Sequence, residues 1–159
     1  IKFEHGKHGN LLGGEAKWPM TNVRQLGLPQ WSRLAEMPEN RCIVPLTEFC
    51  EFTAEKHDLG DGKPPLKGDV WFSTNQRVFP VAGFWQRNKD GAGFTMVTCD
   101  PNELVAPIHP KAMITILVPE DVETWLKGSY DEVVALQKPY DAAKMTVRGP
   151  VFPTRTGEK

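Results

Sequence analysis

Three groupings in this sequence have residue types and spacing suited to chemistry: a pair of glutamates, a histidine held between prolines, and an asparagine two residues before an arginine. The glutamates, Glu48 and Glu51, lie in "RCIVPLTEFCEF", beside Phe49 and Phe52. On an extended segment residues three apart point to opposite faces, so one carboxylate is expected to be interior. A carboxylate partly removed from water among aromatics has its charged form disfavoured, which moves its pKa toward the range useful for general acid–base work. The alternative is that both glutamates are solvent-facing, the usual place for Glu.

His109 stands in "PIHPKAM" (107–113) and is the one histidine in the downstream half of the chain. Each proline ring locks its own φ, and Pro110 also restricts His109, so the imidazole is held with little backbone freedom. Rigid placement suits proton transfer, and it equally suits a tight structural turn. In "WPMTNVRQLG" (18–27), Asn22 and Arg24 share one face of an extended segment. An amide that donates and accepts then sits beside a planar cation suited to phosphate, with Trp18 nearby as a ring on which a base can stack. Surface residues of an edge strand have the same pattern.

Other chemistries lack support. Cys42, Cys50 and Cys99 have no Cys-x-x-Cys spacing and sit in apolar, strand-like context, so they read as small buried hydrophobes with raised pKa. His109 has no His, Cys or carboxylate at the i+2 to i+4 spacings of a metal site, and no metal or cofactor is expected. A Gly-rich phosphate loop and a Gly-x-Ser-x-Gly elbow are both absent.

The elements that must position these residues are short. Five runs read as strands: 41–46, 69–74, 77–85, 93–99 and 113–118, each rich in Val, Ile, Thr or aromatics. The Asp-Gly pair in "NKDGAG" (88–93) predicts a hairpin, and "TNQR" (74–77) a tighter one, which makes the sheet mostly antiparallel. Helices are predicted at "PEDVETWLKG", from its acidic start and Gly stop, and at "SYDEVVALQKP", with Ser129 as cap; a shorter one is predicted at 31–37. The stretch 53–68 reads as an exposed loop and 149–159 as an extended tail. With 159 residues, 40% apolar and 25% charged, the chain is expected to form a single domain. No run reaches the roughly 18 apolar residues of a membrane span, so no membrane partner is expected. The net charge of −1 means that an anionic polymer must be met by a local basic patch.

Taken in order, "TNVR", "RCIVPLTEFCEF", "VAGFW" and "FTMVTCDPNELVAPIHPKAMITILVPEDVETWL" resemble the SOS-response-associated peptidase (SRAP) family, from about Trp18 to Pro139. Members of that family shield abasic sites in single-stranded DNA. The resemblance implies an α+β fold around a barrel-like, mostly antiparallel sheet with a few short helices packed on it. It also implies chemistry from an N-terminal cysteine, exposed by autoproteolytic removal of the initiator Met. The α-amine condenses with the abasic-site aldehyde and the thiol closes a thiazolidine, giving a DNA–protein cross-link. By motif, Glu51 takes the place of the family's proton donor and acceptor, His109 that of its active-site histidine, and Asn22 that of the asparagine holding the cross-link. Arg24 and Lys111 fall at DNA-backbone contacts, Thr98 at a polar residue lining the pocket, and Trp18 at a possible DNA wedge.

The sequence given starts at Ile1. The resemblance implies a preceding segment carrying Met-Cys, because a thiazolidine needs amine and thiol on one terminal residue and no internal cysteine can substitute. Abasic single-stranded DNA is the implied partner, in the cytoplasm and at the nucleoid when engaged on DNA. Two rival readings are a non-catalytic single-stranded DNA-binding module of the same fold and a hydrolase acting on a small substrate or peptide.

Overall fold

The computed structural model describes residues 22–88 and 91–154. Strand β1 (Asn22–Arg24) leads to helix α1 (Pro29–Glu36), then to β2 (Arg41–Leu46), β3 (Phe49–Phe52), β4 (Asp69–Thr74), β5 (Phe79–Asn88), β6 (Gly91–Cys99) and β7 (Met113–Ile114). Helices α2 (Val122–Lys127) and α3 (Tyr130–Ala135) follow, and β8 (Met145–Val151) closes the order. Ser129 caps α3 through a complete capping box with Glu132, as the Ser and acidic pattern predicts.

The strands form two sheets, and no closed barrel joins the described residues, so the α+β class is found without the barrel-like closure that the resemblance implies. One sheet runs β1-β6-β5-β2, with β7 also on β6; the other runs β3-β4-β8. The physical reason lies at 74–77, where a tight hairpin is predicted. Thr74 Oγ1 accepts from Gln76 N at 3.1 Å in a local turn, and the chain then passes from β4 in one sheet to β5 in the other without the two strands pairing. The hairpin predicted at 88–93 is present, with β5 and β6 antiparallel and Asn88 opposite Gly91. All pairing is antiparallel apart from the parallel pair of β1 with β6.

The predicted strand 113–118 is also modified. Only Met113–Ile114 pairs continuously, with β6. Beyond it the chain wedges between the diverging β5 and β6. Thr115 N donates to Val97 O at 2.8 Å, Ala82 N to Thr115 O at 3.0 Å, and Leu117 N to Pro80 O at 2.9 Å. The predicted tail begins inside β8, whose strand runs to Val151 opposite Asp69.

Two apolar clusters follow from strand alternation. One face of the larger sheet, with Val23, Phe84 and Val97, packs under Trp31, Leu34, Trp125 and Val133 of the helices. Its opposite face shares a second cluster with the smaller sheet: Phe79, Val81 and Ile114 meet Phe49, Val70 and Phe72, and Phe49 stacks on Phe72 at 5.1 Å. Gly83 lets β2 and β6 close on β5 within the larger sheet, because a Cβ there would lie 2.9 Å from the Thr95 carbonyl oxygen and 3.1 Å from Cys42 Sγ. Among the described residues no helix is long and apolar enough to cross a membrane.

Candidate active site

Glu51, on a strand of the smaller sheet, meets His109, in a loop between two strands of the larger sheet. On β3, Phe49 and Glu51 alternate with Cys50 and Phe52, so the face that inserts Phe49 into the inter-sheet core also carries Glu51 inward. Phe52 points the other way and is 60% exposed. Glu48 precedes the strand, lies exposed, and pairs with Arg148 at 3.2 Å. One of the two glutamates is therefore interior, as the spacing predicts. The Glu51 side chain retains 24% exposure, and partial burial raises its pKa, while His109 pulls it back down. Burial is the larger cause.

His109 stands in the connection between β6 and β7, and Asn102 builds that connection. The buried Asn102 side chain accepts from Leu104 N at 3.2 Å and Val105 N at 3.0 Å and donates to Tyr140 O at 2.8 Å. His109 N then donates to Val105 O at 2.9 Å. The ring itself is fixed by a 2.6 Å bond between Nδ1 and the Ala112 carbonyl. A carbonyl oxygen only accepts, so Nδ1 carries the hydrogen and the neutral imidazole keeps its lone pair on Nε2. Glu51 Oε1 lies 4.0 Å from Nδ1, an ion-pair distance when the ring is protonated. A buffered carboxyl beside an oriented imidazole can move protons to and from a reacting carbonyl or amine.

The second group is assembled on β6. Asn22 sits opposite Met96 and Arg24 opposite Thr98, and the exposed–buried–exposed pattern of β1 puts Asn22 and Arg24 on one face, as the two-residue spacing predicts. That face is the one turned toward the smaller sheet, since Met96 packs against the cluster containing Phe49. Arg24 reaches Asp100 at 3.4 Å on the surface. Thr98 is buried, and its hydroxyl donates to Val23 O at 3.3 Å, tying β1 to β6. Because Thr98 also pairs with Ile114 of β7, strand β6 connects the Asn22–Arg24 segment with the His109 loop. Lys111 is exposed two residues beyond His109. Trp18 lies outside the described residues.

Gln137 is a positioning residue that sequence reasoning does not single out. Its Oε1 accepts from Leu26 N at 3.1 Å and its Nε2 donates to Thr98 O at 2.7 Å. β1 breaks at Gln25, whose φ of 58° turns the backbone away. The Gln137 amide fills the position of a peptide unit where the parallel ladder stops.

The thiols do not contribute. Burial pushes Cys42 and Cys99 up to about 11 and also raises Cys50, with Asp69 adding to the effect there. No group of metal-ligating side chains occurs among the described residues.

With this geometry, the chain belongs to the SOS response associated peptidase (SRAP) family, whose model matches residues 15–151. Its fold is similar to the crystal structure of a protein from Bacteroides thetaiotaomicron, with 26% identity and a TM-score of 0.64 over 84% of this chain and 63% of that one. A protein from Bordetella bronchiseptica, 22% identical, shares the fold with a TM-score of 0.64 over 84% of this chain and 66% of that one. This chain thus spans less than two thirds of the length of either protein. No match is found among curated proteins.

Proposed function

We propose that the protein processes abasic sites in single-stranded DNA as part of a DNA-damage response, with Glu51 and His109 as its proton-transfer pair. The observation that carries this reading is the pair itself: a carboxyl with a raised pKa 4.0 Å from an imidazole whose tautomer is set by Ala112. The reaction is that of the family. The α-amine of an N-terminal cysteine, in the full-length protein, attacks the aldehyde of the ring-opened sugar and loses water to form an imine. The cysteine thiol then adds to the imine carbon and closes a thiazolidine.

Glu51 is suited to deliver a proton to the sugar oxygen and to take one from the attacking amine, because its raised pKa brings it nearer the operating pH. The Nε2 lone pair of His109 is the second base. Asn22 supplies an amide toward the reacting sugar, and Arg24 and Lys111 supply cations for the flanking phosphates. The family's peptidase activity is, in this reading, the autoproteolytic removal of the initiator Met, which exposes the amine. Incubation of the full-length protein with abasic single-stranded DNA, followed by denaturing electrophoresis, tests it: a covalent adduct is expected, and Glu51→Gln and His109→Asn slow its formation. An absent adduct, or one indifferent to both substitutions, overturns the assignment.

A further inference from the structure

The face of the larger sheet that carries Asn22 continues past it into an aromatic step. Trp85 on β5 lies directly opposite Phe94 on β6. Phe94 and Met96 are two apart on β6, and Met96 lies opposite Asn22. Directly paired residues and residues two apart share a face of a pleated sheet, so Trp85, Phe94, Met96 and Asn22 form one surface. Phe94 is 51% and Trp85 37% exposed, whereas their neighbours Phe84 and Thr95 are buried on the helix side. The indole is not free to swing: Nε1 donates to Glu39 O at 2.8 Å, and the backbone at Trp85 accepts from Asn40 at 3.1 Å.

Two arginines flank this face, Arg87 at one end and, paired with Asp100, Arg24 at the other. Arg87, exposed and two residues beyond Trp85, follows it on the same side of β5. The order along the surface is therefore cation, aromatic pair, amide, cation. By strand rise and strand spacing, Phe94 and Asn22 are roughly 8 Å apart. That is the span of about two stacked nucleotides at 3.4 Å each. A fixed indole beside an exposed phenyl presents ring faces at little cost in side-chain entropy, and every base has a face to stack on them.

We propose that Trp85 and Phe94 form a base-stacking subsite that holds an unpaired base flanking the nucleotide at Asn22, so that single-stranded DNA runs along β6 toward the β5–β6 hairpin. This rests on the reading of Asn22 as a contact to the reacting nucleotide, but it concerns binding and not covalent chemistry. The test measures fluorescence anisotropy of a labelled, undamaged 12-nucleotide oligothymidylate with the full-length protein, and then of oligonucleotides in which one nucleotide at a time is replaced by a baseless spacer.

Trp85→Ala and Phe94→Ser are each expected to weaken binding about 10-fold, with the salt dependence unchanged. At one spacer position the wild type loses the same factor, and in the variants that loss disappears. Phe94→Ser serves where loss of the Glu39 bond in Trp85→Ala disturbs folding. Equal binding by wild type and both variants, or variants that keep the spacer penalty at every position, overturns the subsite while leaving the abasic-site reading intact. Wild-type protein that binds no single strand overturns both. Binding without cross-linking of abasic DNA overturns the chemistry alone.

Discussion

Glu51 and His109 are constrained in different ways, and each constraint has a measurable consequence. Partial burial raises the Glu51 pKa, so the folded state holds that proton to higher pH than the unfolded chain does. The associated stability is complete below the ordinary carboxyl value near 4.5 and is lost as pH rises through the raised value. Glu51→Gln is therefore expected to unfold at a higher temperature than the wild type at pH 7, with the difference vanishing near pH 4; a difference that is constant with pH contradicts this. For His109, the bond from Nδ1 to Ala112 is structural, and the proposed function makes Nε2 the working atom. Asn places an N–H donor where Nδ1 stands and nothing where Nε2 stands. His109→Asn should leave the melting temperature within a few degrees and slow adduct formation about 10²- to 10⁴-fold, the usual range for a lost acid–base group.

At the scale of elements, the parts of the site that are legible in sequence are those set by local periodicity. Strands β2 and β4 coincide with their β-branched and aromatic runs, and the inward turn of Glu51 follows from its place two residues after Phe49. What is not legible depends on distant backbone. A turn at 74–77 is visible as polar residues, but nothing local says that the chain leaves one sheet for another there. Asn102 carries a partial signal, a turn-forming Asn three residues before Val105, while its bond to Tyr140 spans 38 residues. Gln137 carries none, because its partners lie 39 and 111 residues away.

Gln137 belongs to this scale. Gln137→Met keeps the length and apolar contacts of the side chain but leaves Leu26 N and Thr98 O without their partner, at an expected cost of about 1–3 kcal/mol. Amide hydrogen exchange should quicken at Val23 to Leu26 and DNA affinity should fall. Ser129→Ala, which removes the α3 cap at a similar cost of about 1 kcal/mol, should leave affinity unchanged. Equal effects of the two substitutions on binding contradict a positioning role for Gln137.

Over the whole molecule the net charge is −1, so the attraction to DNA that the proposed function needs has to come from one side. The helices cover one face of the larger sheet, and the other face carries Arg24 and turns toward the smaller sheet and Glu51. Binding to single-stranded DNA is expected to weaken with salt, and Arg24→Ala should reduce the slope of log K against log salt by about 0.7. Lys127→Ala, in the helical layer and paired with Glu123, should not change it; equal slopes for wild type and Arg24→Ala contradict the placement of DNA on the Asn22 face. Proton handling by Glu51 and His109 in covalent capture of an abasic site is measured by single-turnover adduct formation on abasic single-stranded DNA, resolved by denaturing electrophoresis. A covalent band is expected from the full-length wild type, forming at least about 100-fold more slowly in both Glu51→Gln and His109→Asn. A wild type that gives no band, or variants that form it at the wild-type rate, would contradict that role.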